Sequence, residues 1–393
     1  RQCGPAQPRR ACDARVADHD LPKPWPRADA GGDHRSGRAG CWWPTWQRST
    51  WEWAAWQRPA RERLTVSVAR RALGLTAVAA GVGVAGFSWA LAEAHAFVLR
   101  EVQVPVLPAG ARPLRVLHIS DLHLTPSQAD KVSFIRDLAG LRPDLVIDTG
   151  DNLAHRDALP TLLDALDPLL AFPGAFVMGS NDYFAPRAKS WSRYLRRDPR
   201  TADTESLEVL ASKPSNLLPT QALAAAFTTA GWKDLTNRRD AVVVGDTHLD
   251  FVGVDDPHLD RDEMPAPLAI PRGALRVGVT HAPYQRVLNA MKADGAELII
   301  AGHTHGGQLC LPGVGALVTN CDLNRGRAKG LSGWPGDRPD TQAGHDSAWL
   351  HVSAGLGTSP FAPVRFACRP EATLLELVPR SGGPVPPGSS SIG

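Results

Sequence analysis

The first 63 of the 393 residues almost lack aliphatic side chains. Of Val, Ile and Leu they contain only Val16 and Leu21, although seven of the twelve Trp lie there. A segment so poor in aliphatic residues cannot bury a hydrophobic core. Because the chain also opens with Arg1 where an initiating Met would stand, residues 1–63 are predicted to be a disordered or spurious N-terminal extension. Residues 379–393, rich in Pro, Gly and Ser, are predicted to be a disordered tail.

Residues 64–393 lack both a basic surplus and a paired cysteine motif. The net charge of +3 arises in the first 63 residues, which leaves 31 Lys and Arg against 33 Asp and Glu for the rest. This balance gives no electrostatic footprint for nucleic acid, so no nucleic-acid partner is expected. Cys310, Cys321 and Cys368 show no C-x-x-C spacing, which disfavours a zinc ribbon or a redox pair. A disulfide between Cys310 and Cys321 stays open.

Residues 72–92 lack charged side chains altogether. A helix of this length, at about 1.5 Å per residue, covers the roughly 30 Å hydrocarbon core of a membrane. We therefore predict a membrane segment at 64–100, although a buried helix or a cleaved signal sequence has a similar composition. Four arginines at positions 61, 63, 70 and 71 precede the helix. The positive-inside rule then predicts a single-pass protein of the cell membrane with its large domain outside the cytoplasm.

Short apolar runs of strand length follow the membrane segment. A stretch with three Pro at 101–113 predicts an extended linker. Strand-like residues 114–119 and 145–147 flank a helix-like segment at 126–140, which predicts a βαβ unit with a parallel sheet. Further strand-like runs lie at 175–178, 275–279 and 298–301, and those at 241–244, 250–254, 348–352 and 372–377 suggest a second, more antiparallel part. The predicted fold is therefore an α/β domain over residues 114–378.

Polar side chains of metal-binding type follow several of these strand-like runs. They are Asp121, His123, Asp151, Asn181, His281, His303 and His305. Ligands of open α/β sheets bind beyond the carboxyl ends of the strands, so these side chains could converge on one site. Oxygen and imidazole ligands in this mixture suit Mn, Fe or Zn better than Ca or Mg. Seven such ligands are enough for two divalent metals that share a carboxylate.

Several motifs resemble those of a known enzyme superfamily. The segments HISDLH, TGDN, GSND, VTHAP and GHTHGGQ resemble, in order and spacing, the motifs of calcineurin-like metallophosphoesterases. LPGVGALVTN, GLGTSP and FACRPEATLLEL look like the bacterial membrane-associated or exported branch of that superfamily. The resemblance implies a four-layer sandwich of two mixed β-sheets flanked by helices.

The resemblance also implies how the metals are held. Asp121, His123 and His305 would hold one metal, and His281 and His303 would help to hold the second. Asp151 would bridge the two metals. A hydroxide that bridges them would attack the phosphorus atom of a phosphoester in line.

Residues 179–182 depart from the superfamily motif G-N-H-D/E. A gapless match puts Ser180 in the metal-binding Asn position and Asn181 in the position of the His general acid. Alternatively, a local shift of the turn lets Asn181 offer its amide oxygen to the second metal. In either case the usual protonating His is missing. His155, on the loop after Asp151, is the candidate substitute, and an exposed histidine without a catalytic role is the alternative.

The sequence therefore predicts a metallophosphoesterase that prefers phosphodiesters to monoesters. Arginines and aromatic residues mixed between positions 183 and 220 favour a phospholipid or another lipid-linked phosphoester as the substrate, and a solvated insertion is the alternative. Because the usual protonating His is missing, a different class stays open. In that class the chain is a weakly active metal-binding relative that serves as a binding or regulatory module.

Overall fold

The computed structural model of the chain describes residues 58–187 and 212–380. These residues belong to two compact units, the first ending at Arg70 and the second beginning at Arg71. Of the first unit, only a helical stretch from Arg58 is described, and all described strands belong to the second unit. Most of the predicted N-terminal extension and tail, and most of the basic and aromatic stretch between 183 and 220, lie outside the described residues.

The long first helix, α1, spans Arg58–Glu93. Its segment Arg70–Glu93 has 24 residues and contains an 18-residue window with a mean hydropathy of 1.7, almost none of which is buried. By length and composition this segment is able to cross a membrane. Helix α1 extends beyond the predicted 72–92 at its N-terminal end, where helix-favouring Arg, Glu and Leu precede the apolar run.

The remaining described elements alternate between strands and short helices. The helices are α2 (Ala129–Asp137), α3 (Leu159–Leu166), α4 (Ser180–Tyr183), α5 (Thr220–Thr229) and α6 (Gln285–Ala293). The strands are β1 (Val98–Leu107), β2 (Leu114–Ile119), β3 (Leu145–Asp148), β4 (Gly174–Phe176), β5 (Lys233–Asp234), β6 (Arg239–Val244), β7 (Thr247–Gly253), β8 (Leu275–Thr280), β9 (Leu298–Ala301), β10 (Cys310–Leu311), β11 (Gly315–Ala316), β12 (Gly330–Trp334), β13 (Ala348–Val352) and β14 (Glu371–Pro379). Short 3₁₀ turns lie at Leu138–Leu141, Pro214–Asn216, Pro257–Leu259, His305–Gly307, Arg325–Arg327 and Gln342–Gly344.

Two six-stranded mixed sheets form the frame of the second unit. The first has the order β1-β14-β2-β3-β4-β5, with β2 to β5 parallel and β14 antiparallel to β2. The second has the order β12-β13-β9-β8-β7-β6, with the four central strands parallel and both edge strands antiparallel to their neighbours. The predicted mixed α/β fold with two sheets is confirmed.

Apolar side chains pack on both faces of the central strands. Val116 of β2 and Ile147 of β3 face Val277 and Ile300 of the second sheet in the core between the sheets. Side chains of the opposite strand faces pack against α2, α3 and α5 on one side and against α6 on the other. Burial on both faces explains why these strands read as continuous apolar runs in the sequence. This packing on both faces fixes the position of the parallel strands, and therefore of the residues that follow their carboxyl ends.

Two details of the predicted organisation were wrong. The predicted linker at 101–113 is strand up to Leu107, because β1 pairs in parallel with β14 and buries Val104 and Val106 between the sheets. Pro105 argued against a strand because proline has no N–H to donate, but it is tolerated here because β1 is an edge strand. Residues 372–377 belong to β14 of the first sheet and not to the second part. Cys310 and Cys321 are both buried, and no disulfide joins them.

A buried ion pair in the second sheet gives a test of the fold. Arg276 of β8 is buried and donates from Nε to Asp250 Oδ2 at 2.7 Å. We expect Arg276→Met to lower the free energy of unfolding by about 3–5 kcal/mol, because the Asp250 carboxylate would stay buried without its partner. The exposed pair of Arg136 and Asp164 offers a control, and Arg136→Met should cost less than about 1 kcal/mol. Chemical denaturation of the detergent-solubilised protein measures both, and equal losses would contradict the expectation.

Candidate metal centre

The predicted ligands lie just beyond the carboxyl ends of five strands. Asp121 and His123 follow β2, Asp151 follows β3, Asn181 follows β4, His281 follows β8, and His303 and His305 follow β9. Two overlapping groups have ligand atoms that all lie within 4.8 Å of one another: Asp121 with His123 and His305, and Asp121 with Asp151 and His281. The cluster therefore joins loops of both sheets.

Five of these residues have a left-handed backbone. The φ angles are 51° at Asp121, 42° at His123, 59° at Asp151, 69° at His303 and 50° at His305. Such angles are uncommon for residues other than glycine, and each costs on the order of 1–3 kcal/mol. They turn the chain sharply after each strand, so that His303 and His305 can serve different parts of the cluster although they are only two residues apart. Strain concentrated in this way is typical of functional sites.

Asp151 lies at the middle of the cluster. Its Oδ2 is 3.4 Å from His123 Nε2 and its Oδ1 is 3.5 Å from His281 Nε2. One carboxylate oxygen therefore faces a histidine of the first ligand group, and the other oxygen faces the histidine of the second group. Burial opposes the charge of Asp151, but the imidazoles of His281 and His123 outweigh it and lower the pKa of the carboxyl group. Asp151 is thus an anion at neutral pH.

Asp121 has one occupied and one free carboxylate oxygen. Its Oδ2 accepts hydrogen bonds from Ser120 Oγ at 2.6 Å and from the backbone N–H of His303 at 2.9 Å. Its Oδ1 is buried, lies 3.6 Å from His305 Nε2 and has no hydrogen-bond partner among the described residues. A buried oxygen without a donor is costly, so a bound cation would stabilise it.

A buried hydrogen-bond chain lies behind Asp121. His118 Nδ1 contacts His351 Nδ1 at 3.0 Å, and His118 Nε2 contacts Thr149 Oγ1 at 2.9 Å. The Thr149 hydroxyl donates to Ser120 Oγ at 2.6 Å, and Ser120 donates to the carboxylate. This chain fixes the orientation of Asp121 from the interior of the protein.

Three histidines of the cluster each place one ring nitrogen on a backbone carbonyl. His281 Nδ1 lies 2.7 Å from Thr149 O, His305 Nδ1 lies 3.1 Å from Gly357 O, and His303 Nε2 lies 3.3 Å from Asn320 O. Because a carbonyl can only accept, the proton of each neutral ring is on this outer nitrogen. At His303 and His305 the inner nitrogen then points its lone pair into the cluster, as in metal-binding histidines that are oriented by a carbonyl.

Inner ring nitrogens approach each other closely. His123 Nε2 is 3.2 Å from His305 Nε2, and His303 Nδ1 is 3.3 Å from His281 Nε2. Such pairs are stable only with a proton or a metal cation between the nitrogens. Burial lowers the pKa of His123 to about 4 and that of His305 to about 3, so both rings are neutral at pH 7 and can act as ligands.

The electric field of the cluster favours cations. Burial alone would lower the pKa of His281, but the carboxylates of Asp151 and Asp256 outweigh it and raise the pKa to about 9. A site that keeps a fully buried imidazole protonated has a strongly negative potential. Together with the free oxygen of Asp121 and the inward lone pairs, this potential fits divalent metal ions.

Ser180 and Asn181 of the GSND segment both approach the carboxylate of Asp151. The backbone N–H of Asn181 donates to Asp151 Oδ1 and its amide nitrogen donates to Oδ2, both at 2.7 Å. Ser180 Oγ lies farther away, at 3.5 Å from Asp151 Oδ1. Of these two residues, it is therefore Asn181 that the hydrogen bonds to Asp151 hold in the middle of the cluster. A rotation of its amide group would turn the oxygen towards a metal.

Asp182 has a larger structural role than the sequence indicated. Its carboxylate accepts from the backbone N–H groups of Asp151 and Asn152 at 2.8 Å and of Gly179 at 3.0 Å. One buried side chain therefore ties the loop after β3 to the loop after β4. An aspartate that follows a predicted turn was the only signal for this role in the sequence.

Two histidines outside the ligand set, His155 and His258, differ in their surroundings. His155 is half exposed, and its Nδ1 accepts from the backbone N–H of Asp157 at 3.1 Å. His258, which has no motif in the sequence, packs its ring 4.7 Å from that of His303 and contacts Tyr284 Oη at 3.0 Å. The fold thus brings His258 to the cluster from the loop after β7.

Arg365 is a further residue of the site that the motifs did not indicate. It is fully buried and donates from Nη2 to the carbonyls of Ala354, Gly355 and Gly357 at 2.7, 3.1 and 2.7 Å. The carbonyl of Gly357 is the one that also orients His305. In the sequence, its only signal was an arginine between the apolar residues Val364 and Phe366.

The part of the chain that carries the cluster is similar to known proteins. Residues 114–307, which contain all seven predicted ligands, match the family model of calcineurin-like phosphoesterases. Phosphodiesterase YaeI of Escherichia coli (strain K12) is 26% identical over 276 residues, which cover 68% of this chain and 84% of that protein. The uncharacterized metallophosphoesterase YkoQ of Bacillus subtilis (strain 168) is 25% identical over 275 residues, which cover 69% of this chain and 86% of that protein.

A solved structure of a dimetal phosphatase from Danio rerio is similar over 64% of this chain and 88% of that chain, at 11% identity. Its TM-score is 0.32, which is too low to support an inference about this chain.

Gly302 allows a test of how closely the loops pack. A methyl group at this position would lie 1.9 Å from Ser120 Oγ and 2.7 Å from Asp121 Oδ2. We expect Gly302→Ala to displace Asp121 and to lower metal affinity by about 10–100-fold, the usual effect of losing support for a ligand. Gly140→Ala, whose methyl group would meet nothing within 4 Å, is the control. Metal titration of both purified variants measures the effect, and equal affinities would refute it.

Proposed function

We propose that this metallophosphoesterase, whose residues 114–307 match the family model of calcineurin-like phosphoesterases, cleaves phosphodiesters at a centre of two divalent metals. The observation that carries the proposal is the pair of overlapping ligand groups around Asp121 and Asp151. The phosphodiesterase name of the Escherichia coli relative favours diesters over monoesters.

The proposed ligands divide between the two metals as the family motifs imply. Asp121, His123 and His305 would hold one metal, whereas His281, His303 and the amide oxygen of Asn181 would hold the second. Asp151 would bridge them, which agrees with its two oxygens facing His123 and His281. When bound, Mn, Fe or Zn ions would polarise the phosphoryl group and lower the pKa of the attacking water.

The protein side chains supply orientation and a proton. The backbone carbonyls of Thr149, Asn320 and Gly357 keep three histidines in the tautomer that can bind a metal. Asp182 holds the loop of Asp151 in place. His155 in its protonated form would give the proton on Nε2 to the leaving group, and the neutral ring that remains accepts at Nδ1 from the backbone N–H of Asp157.

Asp151→Asn tests the reaction. We expect hydrolysis of bis-p-nitrophenyl phosphate by the metal-loaded full chain to fall by more than about 100-fold, since loss of outer support alone costs about 10–100-fold. Metal content should fall as well, because an amide is a weaker ligand than a bridging carboxylate. Asp164→Asn, on the exposed side of α3, is the control and should leave both quantities unchanged.

The same experiment separates the two classes of function. A wild-type chain that binds two metals and yet hydrolyses no aryl or alkyl phosphoester with Mn, Fe or Zn would favour the weakly active binding or regulatory module. Full activity of Asp151→Asn would overturn the proposed metal centre itself.

His155→Ala tests the proposed proton donor. An alkyl leaving group needs protonation and p-nitrophenolate does not, so we expect the rate on an alkyl phosphodiester to fall by about 100-fold or more, with little change on bis-p-nitrophenyl phosphate. His345→Ala, at an exposed position, is the control. Full activity of His155→Ala on the alkyl diester would exclude His155. A parallel His258→Gln variant would then show whether the histidine beside His303 affects that substrate.

We propose a single-pass location in the cell membrane, with the catalytic domain outside the cytoplasm and a phospholipid or other lipid-linked diester as substrate. Helix α1 supports the location by its length and apolar composition. The arginines at positions 61, 63, 70 and 71 support the orientation.

A further inference from the structure

Five large apolar side chains form an exposed patch on the β10–β11 hairpin and the chain segment beside it. They are Leu309, Leu311, Val314, Leu317 and Phe361, and we name them the apolar hairpin patch. Val314, between the two strands, is 75% exposed. Outside α1, the described residues expose only four other large apolar side chains, and these are Leu217, Val243, Leu268 and Ile270. Apolar exposure concentrated in one place marks a contact surface.

The hairpin is built to present these side chains. Cys310 of β10 and Ala316 of β11 point inward and pack with the small side chains of Ala328, Ala354 and Cys368. Because side chains alternate along a strand, Leu311 next to Cys310 points outward. The inward face is thus fully used for packing. The outward face is also apolar, although its side chains are exposed and do not contribute to the core.

The patch is attached to the end of α1 through one short segment. The backbone N–H of Cys310 donates to Phe366 O at 2.8 Å, which joins the hairpin to residues 361–368. The backbone N–H of Arg365 donates to Ala90 O at 2.9 Å, and that of Cys368 donates to Glu93 Oε1 at 2.7 Å. The hairpin and the last turn of α1 are therefore fixed relative to each other by hydrogen bonds.

The last turn of α1 has the composition of a membrane boundary. Trp89 is exposed, and its indole Nε1 donates to Glu93 Oε2 at 3.0 Å. Tryptophan accumulates where the hydrocarbon core meets the headgroups, so a membrane-spanning α1 would leave the membrane near this residue. Ala90, the contact point of Arg365, is the next residue along the chain. The apolar hairpin patch then lies at the level of the membrane surface.

Basic residues lie next to the patch. The turn Arg325–Arg327 packs beside β11, and the side chains of Arg325 and Lys329 are exposed. Between residues 318 and 330 the chain has three basic residues and one acidic residue. Apolar side chains bordered by cations are the pattern of surfaces that insert into the headgroup region of anionic membranes.

We propose that the apolar hairpin patch inserts into the surface of the membrane that α1 spans, and so holds the metal centre against lipid phosphodiesters. The inference rests on the proposed membrane attachment and deepens the proposed substrate class. Leu309 lies only four residues after His305, so insertion of the hairpin brings the ligand loop of β9 next to the headgroups. The occupant of the patch is a lipid surface, and a second protein would be a different outcome of the test.

A fluorescent label at position 314 tests the insertion without using activity. The full chain, with Cys3, Cys12 and Cys41 changed to Ser, would carry an environment-sensitive label on Val314→Cys and be reconstituted into vesicles of phosphatidylcholine and phosphatidylglycerol. The three described cysteines are buried and shielded from the reagent. Val243→Cys is the matched control, because Val243 is an exposed apolar residue of the edge strand β6.

We expect the label at 314 to show blue-shifted emission, quenching by headgroup-level lipid nitroxides and loss of quenching by aqueous iodide. The label at 243 should show the reverse. Equal iodide quenching at both positions would overturn the proposal, and so would shielding from iodide without lipid quenching, which indicates a protein contact. Flotation of the protein with the vesicles reports separately on α1, so a failure of membrane attachment can be distinguished from a failure of hairpin insertion.

A second pair of variants links insertion to the substrate. The double variant Leu311→Asp/Val314→Asp should lose hydrolysis of a vesicle-borne phosphodiester and keep hydrolysis of soluble bis-p-nitrophenyl phosphate, whereas Val243→Asp should keep both. A double variant that keeps its activity on vesicles would overturn the link. If the wild-type chain hydrolysed neither substrate, the proposed function would fail while the labelling result would still decide the insertion.

Discussion

The burial of two carboxylates among four imidazoles is the constraint on which the rest of the structure depends. Asp121 and Asp151 are almost fully buried, and with His281 their ligand atoms lie within 4.8 Å of one another. An uncompensated charge in such a place costs several kcal/mol. Backbone N–H groups compensate part of this cost, as at Asp121 Oδ2 and Asp151 Oδ1. The remaining oxygen of Asp121 has no hydrogen-bond donor among the described residues, and a bound cation would compensate it.

The two sheets provide the rigidity that the centre requires. The residues with left-handed backbone angles after β2, β3 and β9 are strained, and such angles persist only where the flanking structure holds the backbone in place. The core between the sheets holds these strands in place, because Val116 and Ile147 of the first sheet pack against Val277 and Ile300 of the second. The centre draws ligands from both sheets. Its geometry therefore depends on the packing of one sheet on the other, and not on any single loop.

The sequence predicts the centre better than its surroundings, for a physical reason. Strands buried on both faces are continuous apolar runs, so β2, β9 and β13 could be placed to the residue, and the ligands follow such strands directly. An edge strand has no such signal, and β1 was taken for a linker because of Pro105. Residues that act through tertiary contacts also have no local pattern. His258 reaches His303, and Arg365 reaches Gly357, only after the chain has folded.

The contacts of Glu93 and Arg365 indicate that the last turn of α1 is structurally connected to the ligand cluster. The last turn of α1 accepts hydrogen bonds from the backbone of Arg365 and Cys368. The guanidinium of Arg365 in turn donates to Gly357 O, which also accepts from His305 Nδ1. A displacement of the helix end would therefore be transmitted to a metal ligand through two buried groups. If α1 spans a membrane as proposed, this connection would couple the position of the helix end to the ligand cluster.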